Sequence, residues 1–182
     1  AKANAGEHMG KQPYGYLRDK DNPKQWVVDG EAAEVVKKIF ALCVDGKGPM
    51  QIARILQKGK VLTVKSYYAK CAGKPLPDNP YLWDANSVSK ILARFEYCGH
   101  TVNFKTYSKS NKLKKRYENT PENRRIFRNT HEAIIDEKLF ERVQELRASK
   151  RRPAKQAERQ GLFSNLIFCA DCGSKLHFCT AR

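Results

Sequence analysis

The break at Gly46-Lys47-Gly48-Pro49 constrains the fold of this chain more than any other feature. Before it, Ala32, Val35, Val36, Ile39, Phe40 and Cys43 recur at three- and four-residue spacing, which puts one apolar stripe on a helix. After it, Met50 to Gln57 carries Ile52, Ala53, Ile55 and Leu56 as a packing face, with Gly59 as a natural C-terminal stop. Two short helices across a glycine-bearing turn are the skeleton of a helix-turn-helix, although ordinary helical hairpins share it. Asp29 is placed to cap the first helix, Glu31 suits its positive end, and Glu34 can pair with Lys38 one turn away.

The flanking segments read more briefly. Pro13-Tyr14-Gly15-Tyr16-Leu17 and Gln25-Trp26-Val27-Val28 are two extended pieces around a turn at 19–23, anchored to the core by Trp26 and the tyrosines. Residues 61–80 read as a loop closed by Pro75, Pro77 and Pro80. A third helix follows Trp83, capped by Asp84 or Asn86, with Val88, Ile91, Leu92 and Phe95 on its buried face. Thr101 to Tyr107 alternates like a strand, and Ile126 to Arg128 re-enters one. A last helix starts near Asp136 along Leu139, Phe140, Val143, Leu146 and Arg147, then dissolves into Lys150-Arg151-Arg152-Pro153.

Charge narrows the partner. Thirty-five Lys and Arg against nineteen Asp and Glu leave a net of +16, well beyond what solubility needs, and suit a polyanion. No apolar run approaches the ~20 residues needed to span a bilayer, so no membrane partner is expected. The polar stretch 1–12 has no signal-peptide core, and the scattered Cys43, Cys71 and Cys98 follow no disulfide framework. A reducing, intracellular setting is therefore expected. On the third helix Ser87, Ser89, Lys90 and Arg94 complement the apolar face and form the set expected to read base edges in a major groove. The arm around Lys2, Lys11 and Gln12 is expected to track the adjacent minor groove. Between Lys105 and Arg128 nine Lys and Arg accompany only Glu118 and Glu122. There Lys105, Lys109, Lys112, Lys114, Lys115, Arg116, Arg124 and Arg125 are expected to neutralise phosphates.

No catalytic constellation is visible. His8 lies in the polar N-terminal stretch, and His131 is placed to cap or support the last helix. A Ser-His-Asp order with motif support, a phosphate-binding glycine loop and an acidic two-metal cluster are all missing. Cys169-Ala170-Asp171-Cys172-Gly173 can present two thiolates from one tight turn to a tetrahedral metal, which makes Cys169 and Cys172 the candidate metal ligands. His177 and Cys179 complete four donors only in a cramped cage, so the pair reads as half of a zinc ribbon cut by the end of the chain.

Several of these motifs together resemble the large serine recombinases. Pro13-Tyr14-Gly15-Tyr16 is similar to the opening of their recombinase domain. Glu31-Ala32 through Phe40, then Gly46, Ile52-Ala53 and Leu56, resemble its first helix pair. Trp83, Val88, Ile91-Leu92, Tyr97 and Gly99 resemble its Trp-to-Tyr-x-Gly helix and turn, and His131 to Ile135 with Phe140, Val143 and Gln144 its closing helix. The cysteine knuckle resembles the start of the zinc ribbon that follows.

The resemblance implies an α+β fold: a mostly helical DNA-binding domain with a helix-turn-helix-like core and a small β-hairpin arm, then a truncated zinc-ribbon start. Residues 1–12 would be an arm or linker, 13–150 the recombinase domain, 151–160 a linker and 161–182 the incomplete ribbon. The nucleophilic serine belongs to a separate domain, so this chain alone is expected to be inactive and to hold one half of an attachment or transposon-end site. Double-stranded DNA is the implied partner, with homo-oligomers forming on it in the longer protein, in a cytoplasmic bacterial or phage context. No cofactor is expected for this chain; zinc belongs to the completed ribbon. The rival readings are an RNA-binding protein, a zinc or redox enzyme built on Cys169 and Cys172, and an assembly module with an incidental basic surface. The RNA reading calls for exposed aromatic pairs on a sheet, and none is evident in the sequence.

Overall fold

The computed structural model describes residues 2–19, 21–22, 25–110, 112, 115–149, 167–174 and 176. Its first layer of order comes from the helix pair at the glycine–proline break. Helix α1 (Gly30–Val44) buries Ala32, Ala33, Val36, Ile39, Phe40 and Cys43, and α2 (Pro49–Lys58) buries Ile52, Ala53 and Leu56. The turn between them is a Schellman closure: Gly46 takes φ +85°, its N–H reaches the Cys43 carbonyl, and the Lys47 N–H reaches the Leu42 carbonyl at 3.0 Å. Pro49 starts α2 where a missing N–H costs nothing, and the Gln51 Oε1 accepts from the Gly48 N–H at 2.9 Å.

Local details depart from the sequence expectations for clear reasons. Asp29 stands at the N-cap of α1 but makes no cap bond there, because its carboxylate accepts from the Tyr67 hydroxyl at 2.7 Å. Glu34 pairs with Lys37 at 2.9 Å, three residues on rather than four. Helix α2 does stop at Gly59, its C-cap, but the left-handed residue is the next one: Lys60 takes φ +48°, and the Val61 N–H closes onto the Leu56 carbonyl at 3.0 Å.

The expected loop at 61–80 contains a helix, α3 (Val64–Cys71). Thr63 caps it, its Oγ1 accepting from the Ser66 N–H, and Tyr67 and Ser66 are buried. Aromatic packing rather than an aliphatic stripe holds it: Tyr67 meets Tyr14 edge-on at 5.5 Å between centroids. Trp83 then staples the following loop back, its Nε1–H donating to the Val61 carbonyl at 3.0 Å.

Helix α4 (Ala85–Leu92) packs against α2, α1 and α5 (Glu137–Ser149). Its buried residues are Val88, Ile91 and Leu92. Phe95, expected on that helix, lies past its end in a 3-10 turn (Phe95–Cys98), half-buried against Phe140. Tyr97 in that turn is fully buried and donates to the Tyr14 carbonyl at 2.9 Å.

Among the described residues, three short antiparallel strand pairs accompany the helices. Strand β1 (Tyr16–Arg18) pairs with β2 (Trp26–Val28), the expected N-terminal hairpin. Strand β3 (Thr101–Asn103) pairs with β6 (Arg125–Phe127), and β4 (Thr106–Ser108) with β5 (Arg116–Glu118). The last two pairs are one long hairpin that bends at Phe104, where φ is +59°, and at the 3-10 turn Pro121–Asn123 on the return. The described residues thus form five α-helices with small antiparallel strand pairs. None of the described helices is long and apolar enough to cross a membrane.

Candidate nucleic-acid interface

Helix α4 is set by its ends. At the start, Asp84 Oδ1 accepts from the Ser87 N–H at 2.8 Å and Oδ2 from the Ser87 hydroxyl at 2.6 Å. Those bonds hold the Asp84 carboxyl below its ordinary range. At the other end α5 supplies the missing partners: Gln144 Nε2–H donates to the Leu92 carbonyl at 2.7 Å, and Arg147 reaches the Ser89 carbonyl at 3.5 Å. Arg147 is steadied by Gln144 Oε1 at 2.8 Å. A helix of only eight residues is thereby fixed at both termini.

The four α4-region residues expected to read bases therefore differ in position. Lys90 is exposed and Ser89 half-buried. The Ser87 hydroxyl is committed to the cap. Arg94 lies two residues beyond the helix, half-buried, where its positive charge offsets part of the upward shift that burial gives the Tyr68 and Tyr97 phenols. Sequence reasoning left out Asn86, which is exposed on α4, and the exposed face of α2: Gln51, Arg54, Gln57 and Lys58. Neither set includes an acid, whereas the exposed faces of α1 and α5 carry Glu31, Glu34, Glu141 and Glu145. The signal was available as the absence of Asp and Glu from the whole of α2.

The basic arm divides in the same way. Lys105 is tied to the buried carboxylate of Glu96, and Arg124 donates through Nε and Nη2 to the Asn119 carbonyl at 3.1 and 3.0 Å, so both brace the hairpin. Lys109, Lys112, Lys115, Arg116 and Arg125 are exposed. Lys114 lies outside the described residues. Tyr107 and Tyr117 stand opposite each other on β4 and β5, an aromatic pair on a sheet that the sequence did not disclose.

The N-terminal segment is docked rather than free. Asn103 Nδ2–H donates to the carbonyls of Ala3 and Glu7, each at 3.0 Å. His8 stacks on Trp26 at 3.6 Å between centroids and shares a hydrogen bond with Thr101 Oγ1 at 3.0 Å. Burial and the nearby His131 lower the His8 pKa to about 4. Lys2 lies in a 3-10 turn (Lys2–Ala5) whose backbone is described, Lys11 is exposed and Gln12 half-buried. His131 is a core residue rather than a helix cap: its Nε2–H donates to the Glu96 carbonyl at 2.8 Å, and it packs edge-on against Tyr16.

Cys169 and Cys172 form a knuckle. The Cys169 N–H donates to the Ser174 carbonyl at 2.8 Å, and the Gly173 N–H to the Cys169 carbonyl at 3.0 Å. Hydrogen bonding from Ser174 lowers the Cys172 thiol pKa, which favours the thiolate that a soft metal takes. The donor chemistry fits zinc, but the described residues supply only this pair, and no group of three or more His, Cys, Asp or Glu is gathered among them. His177 and Cys179 lie outside the described residues, as does the expected linker at 151–160.

The model of the Recombinase family matches residues 30–150, which is more than half of the chain, and the chain belongs to that family, the group of the large serine recombinases. An uncharacterized protein of Bacillus subtilis (strain 168), YefB, is 35% identical over 96 residues, which is 53% of this chain. The chain spans only 32% of that relative's length. Among solved structures, a chain from an LSR–DNA complex is similar over 94% of this chain and 44% of its own, at 20% identity and a TM-score of 0.45. A chain from work on the sequence requirements of the Listeria innocua prophage attP site is similar over 94% and 59%, at 21% identity and a TM-score of 0.44. Likeness that weak says nothing about what this chain binds.

Proposed function

We propose that this chain is the part of a site-specific serine recombinase that holds double-stranded DNA. The observation that carries the reading is the short α4, fixed at both ends and presenting Asn86 and Lys90 on its exposed face, within a family of recombinases. Asn pairs with adenine and Lys with guanine at the major-groove edge, so these two residues read bases. Helix α2 follows α1 across the Schellman turn as the second half of a helix-turn-helix, and its exposed Arg54 and Gln57 add further polar contacts to the duplex. Arg94, Ser87 and Ser89 position α4 more than they read.

The exposed cations of the arm, Lys109, Lys112, Lys115, Arg116 and Arg125, neutralise phosphates, and Lys11 and Gln12 approach the duplex backbone beside the docked N-terminal segment. Residues 13–150 act as the DNA-holding domain, 151–160 as a linker, and 161–182 as the opening of a zinc ribbon completed elsewhere in a longer protein. Strand exchange is performed by a separate serine-bearing domain, and synapsis by copies assembled on DNA.

The test is a binding comparison on a selected site and on random duplex. Asn86→Ala with Lys90→Ala is expected to weaken selected-site binding by about 1–3 kcal/mol per lost base contact while barely changing random-duplex binding. Equal losses on both duplexes would remove α4 from the reading set.

A further inference from the structure

We infer that Tyr107 and Tyr117 form a stacking platform for an unpaired DNA base on the basic arm. The inference rests on the duplex-binding reading for the nature of its ligand. The two rings face the same side of the β4–β5 pair in direct register, with centroids 5.9 Å apart and planes inclined by 32°. Core packing does not account for them, because no residue of either strand is buried and Tyr107 is 45% exposed. Both strands are exposed or half-buried throughout, so the rings contribute no more than the ~0.2–1 kcal/mol of a cross-strand aromatic pair.

Cations are placed beside the rings. The ammonium groups of Lys109 and Lys115 lie 4.9 and 5.4 Å from the centroid of Tyr117. They cover Tyr117, while among the described residues no cation is recorded over Tyr107. A base laid on the open face of Tyr107 would have two ammonium groups at its flank, where the adjoining phosphates run. An aromatic face bordered by cations binds single strands with little regard to sequence, because every base has a π face. Paired bases inside a duplex have both faces occupied by their neighbours. The platform therefore distinguishes unpaired nucleotides from intact duplex.

The experiment compares a short duplex with the same duplex carrying a central unpaired bubble that contains 2-aminopurine. Binding is read by anisotropy and stacking by quenching of the 2-aminopurine. The chain is expected to prefer the bubble and quench its fluorescence. Tyr107→Ala is expected to lose about 5- to 150-fold in bubble affinity, the range for one stacked base, with duplex affinity retained. Tyr107→Leu keeps an apolar cross-strand partner without a π face and should lose the preference too, whereas Tyr107→Phe should keep it. Equal binding of bubble and duplex, or a preference untouched by Tyr107→Leu, overturns the platform. Absence of all duplex binding would instead sink the duplex reading. In that case the platform stands or falls on whether binding of the unpaired strand alone depends on Tyr107.

Discussion

Replacing Gly99 by alanine should destabilise the fold far more than the same change at Gly46. Both glycines take left-handed φ, +83° and +85° respectively. Alanine there costs about 1–2 kcal/mol, offset by about 0.4–1 kcal/mol from a less disordered unfolded chain. At Gly46 nothing lies within 4 Å of an added Cβ, so the net cost is about 0.5–1 kcal/mol. At Gly99 the Cβ would stand 2.7 Å from the His131 backbone carbonyl. That carbonyl cannot swing aside cheaply, because the Thr130 N–H bonds to the Gly99 carbonyl at 2.9 Å and the Ile134 and Ile135 N–H groups bond to that of Tyr97. Overpacking against such a frame adds about 1–3 kcal/mol, for a total of about 1.5–4 kcal/mol. For a chain of this size that corresponds to a Tm lower by roughly 3–16 °C, against about 1–4 °C for Gly46→Ala. Urea unfolding of the two variants beside the parent measures the difference directly. Equal losses, or a milder loss at Gly99, would refute the argument that the 97–99 turn is locked to the 130–135 segment.

Other perturbations follow from the same geometry. Lys105→Met should cost about 2 kcal/mol, less than the ~3–5 kcal/mol for orphaning a fully buried charge because Lys105 is itself half open to water. Lys112→Met, by contrast, should leave the unfolding midpoint unchanged. Lys60→Gly should raise stability by up to about 1 kcal/mol in urea titration, because it removes a side chain from a left-handed position. Acid should loosen the N-terminal segment. His8, at about 4, and His131 are both held below their unfolded pKa of about 6.5, so the unfolded chain takes up protons first. Stability is then complete above about pH 6.5 and declines as pH falls toward 4; His8→Phe, which keeps the stack on Trp26 without titrating, should flatten that decline in Tm.

What the sequence disclosed was what repeats locally. Helices α1, α2, α4 and α5 announced themselves through aliphatic residues at helical spacing, and the Asp84 cap and the glycine–proline break marked their ends. Helix α3 was hidden because its buried contacts are Ser66 and Tyr67 rather than an aliphatic stripe, and because three prolines follow it. Long-range pairings left no local trace. Docking of the N-terminal segment through Asn103, the tie between Lys105 and Glu96, and the burial of His131 join residues that only the fold brings together. The same is true of the interface. A count of lysines in the arm could not separate Lys105 and Arg124, which brace the hairpin, from Lys109, Lys115 and Arg116, which face solvent. Tyr107 and Tyr117, ten residues apart, become partners only through the register of β4 and β5.

The affinity of the intact chain for duplex DNA across a salt series tests the central claim most directly. With Lys11, Lys109, Lys112, Lys115, Arg116 and Arg125 exposed, binding should weaken steeply, with a log–log slope of about −3.5 to −5.5 if most of them meet phosphates. A slope near zero, or no duplex binding at low salt, would contradict the account and assign the basic surface to another partner.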